Sequence, residues 1–214
     1  MVRGFERRLE RILEGVAGRV FSGRLHPAEI AGKLAREADF ARFEHETGPA
    51  TANVYTLLVH PRDLTTDPGA LATGLTTELE QYTTEQGLRL EGPCRVEIEG
   101  SDQVPPGSVV CHVEIVPGPP MRWARLVGAG EDHPVGRNRN LVGRLATADI
   151  SLPHDDVSRR HALLWREGGR IFVRDLGSAN GSVVDGVRVG EDPVEIGIGS
   201  SVGFGSHRYR FVGP

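Results

Sequence analysis

The carboxyl-terminal half of the chain contains three short segments whose polar residues could bind an anion. Arg144 lies in the first segment, Ser158 and Arg159 in the second, and Asn180 in the third. A phosphate monoester is a dianion with three acceptor oxygens, so a protein that binds it needs several charge-assisted donors. A guanidinium is a forked and permanently charged donor, a hydroxyl adds another, and an amide can bridge the backbone of an extended peptide. These residue types suit the binding of a doubly charged anion such as a phosphate ester.

Enzymatic roles for the same segments fit the sequence less well. Ser158, His161 and Asp175 could be imagined as a nucleophile, a base and an orienting carboxylate. However, Ser158 lacks the glycines of a nucleophile elbow, and the turn at 177–181 lacks the Lys-Ser/Thr of a P-loop. His154, Asp155 and His161 could be imagined as metal ligands, but their spacing matches no metal-binding pattern. The sequence therefore predicts a binding protein that has no catalytic residue, metal or cofactor.

The elements that must position these residues read as short strands. After residue 120, β-rich runs are separated by clusters of Gly, Asp, Asn and Ser, a pattern typical of a β-sandwich. The clearest runs are 163–165, 171–173, 183–184 and 209–212. The hinge 117–120, Pro-Gly-Pro-Pro, continues neither a helix nor a sheet. We therefore expect two domains: a small α+β domain over residues 1–116 and an all-β domain over residues 121–214.

The first domain is predicted to have helices covering one face of a sheet. Apolar residues at helical spacing from Phe5 to Phe21 predict a helix ending near Ser22-Gly23, and a second helix begins at His26-Pro27. Its buried face is predicted to contain Ile30, Ala31, Leu34 and Ala38. A strand over 53–60 then precedes a third helix, capped by Asp67-Pro68 and stopping at Gly87.

Two further strands, over 94–99 and 108–116, read as a hairpin centred near Val104. In that register Cys94 lies opposite Glu114, and Cys111 lies opposite Glu97. The sequence therefore predicts two buried thiols and no disulfide.

Charge is unevenly distributed along the chain. Residues 1–120 carry 12 basic and 18 acidic side chains, a net charge of −6, whereas residues 121–214 carry 13 and 11, a net charge of +2. The acidic half has no basic stripe for nucleic acid, and the basic half is better suited to an anionic partner. No apolar run is long enough to span a membrane, and the amino terminus does not resemble a secretory leader. We expect a cytoplasmic protein without direct membrane insertion.

The ordered set of polar segments resembles the signature of the forkhead-associated (FHA) family. The set runs Gly143-Arg144, Ala148-Asp149-Ile150, Ser158-Arg159-Arg160-His161 and Asn180-Gly181. The resemblance covers residues 121–214 and implies a β-sandwich that binds phosphothreonine peptides without altering them. It places Arg144, Ser158 and Arg159 on the phosphate and Asn180 on the peptide backbone. Gly136-Arg137 is an equally good pair in isolation, and only the spacing selects Gly143-Arg144.

The same resemblance implies roles for neighbouring residues. His161 buttresses the loop behind the site, and Gly143, Gly177 and Gly181 are expected to allow turns with positive φ. Many family members have a serine or threonine before the asparagine, but this chain has Ala179, so one phosphate donor is missing. Ser178 could compensate in part or could serve only the turn. Arg160 is expected to face solvent.

The amino-terminal half resembles the amino-terminal domain of actinobacterial FhaA-type proteins. The resemblance rests on residues 5–10, on residues 21–31 and on Asn53-Val54-Tyr55. It supplies no site, but it implies Ser/Thr kinases, pseudokinases or their substrates as phosphothreonine-containing partners, recruitment to membrane proteins through them, and a link to cell-wall synthesis or cell division. We therefore expect an adaptor in kinase signalling. The alternative is a structural scaffold whose phosphate site is silent.

Overall fold

The computed structural model describes residues 2–21, 25–128 and 130–214 of the chain. The chain forms two compact units. The first contains residues 1–44, 50–83 and 90–118, and the second contains residues 45–49, 84–89 and 119–214. Across the described ranges, no helix combines the length and the hydropathy needed to cross a bilayer.

Helices α1 (Val2–Val20) and α2 (Pro27–Phe40) follow the predicted apolar spacing. The His26 side chain caps α2 by accepting the backbone N–H of Ala28 at 3.2 Å, and Pro27 occupies the first turn, where its missing N–H costs nothing. The predicted buried face of α2 is confirmed for all four of its residues. The predicted end of α1 at Ser22-Gly23 lies outside the described residues.

A three-stranded sheet forms the other part of the first unit, in the order β4-β3-β5. Its strands are β3 (Val54–Val59), β4 (Arg95–Gly100) and β5 (Val109–Glu114), and helix α3 (Gly69–Glu85) connects β3 to β4. A short two-stranded sheet, β1 (Phe43–His45) and β2 (Gly48–Ala50), was not predicted. Buried residues of α1, α2, α3 and the three-stranded sheet form one core, so the α+β prediction is confirmed.

The predicted hairpin of β4 with β5 is wrong, because β3 lies between them. Strand β3 pairs with β4 in parallel and with β5 in antiparallel orientation, so Leu57 lies opposite both Ile98 and Cys111. Helix α3 provides the crossover that a parallel pair requires. Cys94 and Cys111 are free and buried, as expected, and burial raises the pKa of each thiol to about 12.

The second unit is a sandwich of two sheets, which confirms the all-β prediction. One sheet has the order β14-β11-β10-β8-β9 and the other has the order β13-β12-β15-β16-β6-β7. The strands are β6 (Ala124–Gly128), β7 (Glu131–Val135), β8 (Arg139–Gly143), β9 (Ile150–Ser151), β10 (Ala162–Glu167), β11 (Arg170–Asp175), β12 (Ser182–Val184), β13 (Val187–Val189), β14 (Val194–Ile196), β15 (Ser201–Phe204) and β16 (His207–Val212). Apolar residues from both sheets, including Leu164, Val173, Phe204 and Phe211, form a buried core between them.

Within this second unit, the segment 84–89 contributes a partly buried ion pair. Both terminal nitrogens of Arg89 donate to the Asp149 carboxylate, at 2.7 and 2.9 Å, and Arg137 Nε donates to it at 3.1 Å. The same carboxylate accepts the backbone N–H of Leu141 at 2.8 Å. Asp149 is therefore a structural residue that joins β8 to the side chains of Arg89 and Arg137.

Candidate functional site

An open cavity of about 580 Å³ lies at one end of the sandwich, between the loops that leave β8, enter β10 and join β11 to β12. Four of the residues expected to contact a phosphopeptide, Arg144, Ser158, Arg159 and Asn180, line it together with Ala179. The other lining residues are Leu145, Asp155, Asp156, Val157 and Arg160. The structure therefore brings together side chains that are separated by up to 36 positions in the sequence.

Arg144 directly follows β8, and its backbone is bonded to the next loop. Its N–H donates to the Ser158 carbonyl at 3.0 Å, which holds the two loops side by side. The Arg144 side chain is 42% exposed, and its Nη1 contacts Asp155 Oδ1 at 3.4 Å. This long contact to an exposed carboxylate is weak, so an incoming phosphate can replace it.

Gly143 is required by close packing, not by the positive φ that we predicted. A Cβ atom at Gly143 would lie 2.2 Å from the Arg159 carbonyl oxygen, whereas its φ lies outside the left-handed region. A side chain here would push the Ser158-Arg159 backbone away from β8. The expectation of positive φ is correct for Gly177, at 75°, and for Gly181, at 80°.

Ser158 is held by hydrogen bonds that leave its hydroxyl hydrogen available. Its Oγ accepts the backbone N–H of Ala179 at 3.0 Å, and its own N–H donates to His161 Nδ1 at 3.0 Å. Because Oγ accepts from the backbone, its hydrogen can point toward a ligand in the cavity. Arg159 beside it is exposed. The pair therefore offers one oriented hydroxyl and one exposed cation.

His161 is fully buried behind the cavity and joins two of its loops. Its Nδ1 accepts from Ser158, so Nε2 carries the hydrogen and donates it to the Gly181 carbonyl at 3.1 Å. Burial lowers the pKa of His161 and outweighs the opposing effects of the Gly181 carbonyl and of the carboxylates of Asp175 and Asp156. The neutral side chain thus joins the two loops by hydrogen bonds and does not line the cavity.

The turn after β11 is organised by the buried carboxylate of Asp175. It accepts the N–H of Ser178 at 2.7 Å, the hydroxyl of Ser178 at 2.7 Å and the hydroxyl of Ser182 at 2.6 Å. Burial raises the pKa of Asp175, but the hydrogen bonds from Ser182 and Ser178 outweigh that effect and the net pKa is lowered. The Ser178 oxygen also accepts the Gly181 N–H at 2.9 Å. Since this hydroxyl is fully used inside the turn, it does not replace the donor that is missing at Ala179.

Asn180 is exposed, and its amide is oriented by one internal bond. Its Nδ2 donates one hydrogen to the Asp156 carbonyl at 2.7 Å, and this bond does not use Oδ1, which is an acceptor. The Asp156 carboxylate accepts the Ser206 N–H at 2.6 Å and contacts His207 Nε2 at 2.9 Å. Hydrogen bonds from Ser206 and His207 lower its pKa. An anchored loop therefore holds the asparagine at the edge of the cavity.

A second polar cluster, which the sequence did not suggest, supports this loop. The carboxylate of Glu131 accepts the Tyr209 hydroxyl at 2.7 Å and contacts His133 and His154 at 3.2 Å each. The bonds from Tyr209, then His133, lower the pKa of Glu131 to about 2. His154 also stacks on His207 with ring centroids 3.6 Å apart. Glu131 and His133 lie on β7, but His154 and Tyr209 are distant from them in sequence, so no motif reveals the cluster. Within the described ranges no group of residues is arranged to hold a metal ion.

Two nearby arginines have partners that distinguish them from Arg144. Arg137, in the alternative Gly-Arg pair, bonds to Asp149 away from the cavity lining. Arg160 lines the cavity and is exposed as expected, but both of its terminal nitrogens contact Glu46, a residue of the same unit. Of the two Gly-Arg pairs, the arginine of Gly143-Arg144 lines the cavity and that of Gly136-Arg137 does not.

Comparison with protein families agrees with both halves of this description. The model of the FhaA N-terminal domain matches residues 2–112, and the model of the FHA domain matches residues 140–205. The chain belongs to the FhaA N-terminal-domain family and carries an FHA domain. The FHA match contains Arg144, Ser158, Arg159 and Asn180.

Relatives of the chain include bacterial FHA proteins. FhaB of Mycolicibacterium smegmatis is 36% identical over 77 residues, which are 36% of this chain and 49% of FhaB. The glycogen accumulation regulator GarA of the same organism is 32% identical over 118 residues, which are 55% of this chain and 67% of GarA. The chain therefore spans about half the length of FhaB and two thirds of that of GarA.

Solved structures give a partial match. The structure described as Mycobacterium tuberculosis EmbR in complex with a low-affinity phosphopeptide is 29% identical, covers 42% of this chain and 24% of EmbR, and has a TM-score of 0.40.

Proposed function

We propose that the chain is a non-enzymatic adaptor that captures phosphothreonine-containing proteins at the cavity of its FHA domain. FHA domains are known for phosphothreonine binding, and relatives of this chain are named as regulators. The observation that carries the proposal is the convergence of Arg144, Ser158 and Arg159 on one open cavity. Several charge-assisted donors at one place are what a dianionic ester requires.

Each residue has a distinct role in this proposal. The guanidinium of Arg144 pairs with two phosphate oxygens after leaving Asp155, and the Ser158 hydroxyl donates to another oxygen. The exposed side chain of Arg159 supplies a second positive charge to the phosphate. Asn180 bridges the peptide backbone beside the phosphothreonine, because its amide is already oriented by Asp156. The hydrogen bond of His161 to the Gly181 carbonyl, together with its bond to Ser158, holds the two loops in position.

We further propose Ser/Thr kinases, pseudokinases or their substrates as partners, including proteins of cell-wall synthesis or cell division. The support is the FhaA N-terminal-domain match and the FHA match on one chain. In this arrangement residues 121–214 read the phosphothreonine, residues 1–116 hold a second partner, and the hinge 117–120 joins them. Partners that are membrane proteins would recruit the chain to the membrane.

Calorimetric titration of the full chain tests the proposal. A phosphothreonine peptide is expected to bind with a Kd in the range of about 1–100 μM, whereas its unphosphorylated form does not bind, because hydrogen bonds to the charged phosphate offset the ordering of the peptide. Arg144→Ala and Ser158→Ala are each expected to abolish capture. Arg125→Ala is the matched control, since Arg125 is also 42% exposed and also pairs with an aspartate but lies on β6.

The rival function, a scaffold with a silent site, draws on one observation. Ala179 lines the cavity at a position where it has no hydroxyl to donate. The Ser178 hydroxyl donates its hydrogen to the Asp175 carboxylate and so cannot donate it to a phosphate. Equal weak binding of the phosphorylated and unphosphorylated peptides would favour the scaffold. Unchanged binding in Arg144→Ala would remove the proposed phosphate site.

A further inference from the structure

The cavity contains a carboxylate that competes with the phosphate for the same arginine. Asp155 lines the cavity and contacts Arg144 Nη1 at 3.4 Å. Its side chain is fully exposed, at 107% of the reference value, so the rest of the fold does not hold it in place. In the part of the chain that the structure describes, Arg144 is the only bonded partner of this carboxylate.

The other carboxylate of the lining behaves differently. Asp156 is bonded to the Ser206 backbone and to His207, so both of its carboxylate oxygens have partners within the fold. Phosphate binding at Arg144 changes nothing in that arrangement. Asp155 alone loses its counter-ion when the phosphate arrives.

Binding of the dianion to Arg144 therefore leaves the Asp155 carboxylate in the cavity lining without a counter-ion. The charged groups of the lining are three arginines and two aspartates, a net charge of +1, and a phosphate of charge about −2 brings the occupied site to about −1. Arg160 already contacts Glu46, which further reduces the positive charge available. A peptide with acidic residues next to the phosphothreonine would add to this excess, whereas a basic side chain would remove it.

From this geometry, and resting on the proposed function, we propose that Asp155 makes the site select phosphothreonine peptides that carry an arginine or lysine beside the phosphorylated residue. In the empty cavity Asp155 neutralises Arg144. In the occupied cavity the phosphate takes Arg144, and the basic side chain of the peptide takes Asp155. Asp155 is thus both an internal competitor of the phosphate and a specificity-determining residue for its ligand.

The test uses the full chain and three series of phosphothreonine peptides. The peptides share one neutral sequence and differ by a single Arg, Gln or Glu placed in turn at each of the three positions on either side of the phosphothreonine. Binding is measured for the wild type, for Asp155→Asn and for Asp132→Asn. Asp132 is the matched control, because it is an exposed aspartate paired with an arginine, Arg125 at 2.8 Å, outside the cavity lining.

The wild type is expected to bind the best Arg peptide about two- to fivefold more tightly than the Gln peptide of the same position, with the Glu peptide weakest, as exposed charge pairs allow. Asp155→Asn is expected to bind the Gln peptide more tightly than the wild type does and to lose the preference for Arg. Asp132→Asn keeps the ranking of the wild type.

Two results would overturn the inference. One leaves the proposed phosphothreonine site intact, and the other contradicts that site as well. If phosphorylated peptides bind and their unphosphorylated forms do not, but Asp155→Asn ranks the peptides as Asp132→Asn does, the selectivity is absent and the phosphothreonine site stands. If the wild type does not distinguish phosphorylated from unphosphorylated peptides, the proposed function fails as well.

Discussion

The Oγ atom of Ser158 accepts the backbone N–H of Ala179 at 3.0 Å, so the loop before β10 is bonded to the turn after β11 at the point where both line the cavity. This bond positions Ser158 Oγ, the one side-chain hydroxyl among the residues that line the cavity. It also places the Ala179 Cβ at the cavity lining, where a larger polar side chain would meet the same ligand. The two residues therefore determine together how many hydroxyl donors the site offers.

Ala179→Ser is expected to tighten phosphopeptide binding. The new hydroxyl lies in the cavity lining and adds a hydrogen bond to a charged acceptor, which corresponds to about a tenfold gain in affinity. Calorimetric titration of the variant with one phosphothreonine peptide measures the change. A Kd equal to that of the wild type would show that the phosphate does not reach residue 179.

Ser178→Ala is expected to reduce stability and to affect binding much less than Ser158→Ala does. The Ser178 hydroxyl donates to the buried Asp175 carboxylate and accepts from Gly181, so its loss removes two hydrogen bonds inside the turn. We expect the free energy of unfolding to fall by about 1–3 kcal/mol. Chemical denaturation measures this loss, and titration at a temperature where both variants are folded compares their affinities. A variant as stable as the wild type that binds as weakly as Ser158→Ala would instead make Ser178 a direct contact.

His161→Asn is expected to weaken the dependence of stability on pH between pH 7 and pH 5. The folded protein holds His161 neutral with a lowered pKa, whereas the unfolded chain protonates it near the ordinary value of about 6.5. The stability that neutral His161 provides is complete above that value and is lost as pH falls towards its pKa in the folded state. Denaturant titrations at pH 7 and pH 5 measure the difference. His112→Asn, at an exposed position on β5, is the control and should keep the pH dependence of the wild type.

The polar residues that line the cavity were predictable because arginine, serine and asparagine are donor residues and occur in an ordered set of loops. Arg144, Ser158 and Asn180 lie in loops, where neither burial nor strand pairing explains an arginine, a serine and an asparagine in this order and spacing. The amphipathic spacing of α2 likewise predicted its buried face, since helical periodicity is a local property. Local patterns therefore revealed both the helices and four polar residues that line the cavity, Arg144, Ser158, Arg159 and Asn180.

Contacts between distant parts of the chain could not be predicted in this way. The parallel pairing of β3 with β4 depends on the path of α3, and periodicity within either strand does not specify its neighbour. The bonds of Asp156 to Ser206 and of Glu131 to Tyr209 join residues that no sequence motif connects. The segments 45–49 and 84–89 belong to the second unit although they lie far before the hinge in sequence. These features follow from tertiary packing alone.

Gly143→Ala tests whether close packing at the end of β8 is needed for binding. The added Cβ would lie 2.2 Å from the Arg159 carbonyl oxygen, and this atom is backbone, so it cannot move aside as a flexible side chain would. We expect the loop that carries Ser158 and Arg159 to shift away from Arg144, with a loss of stability of about 1–3 kcal/mol and weaker phosphopeptide binding.

The matched control for this substitution is Gly190→Ala, because Gly190 has no heavy atom within 4 Å of an added Cβ and does not have a positive φ. The control should bind the phosphopeptide as the wild type does and should lose no stability. Affinity is compared by calorimetry and stability by chemical denaturation. If Gly143→Ala bound as tightly as the control, the distance between β8 and the Arg159 backbone would not matter for the site. Loss of affinity in Gly143→Ala alone would show that a glycine without any ligand contact sets the spacing of the phosphate donors.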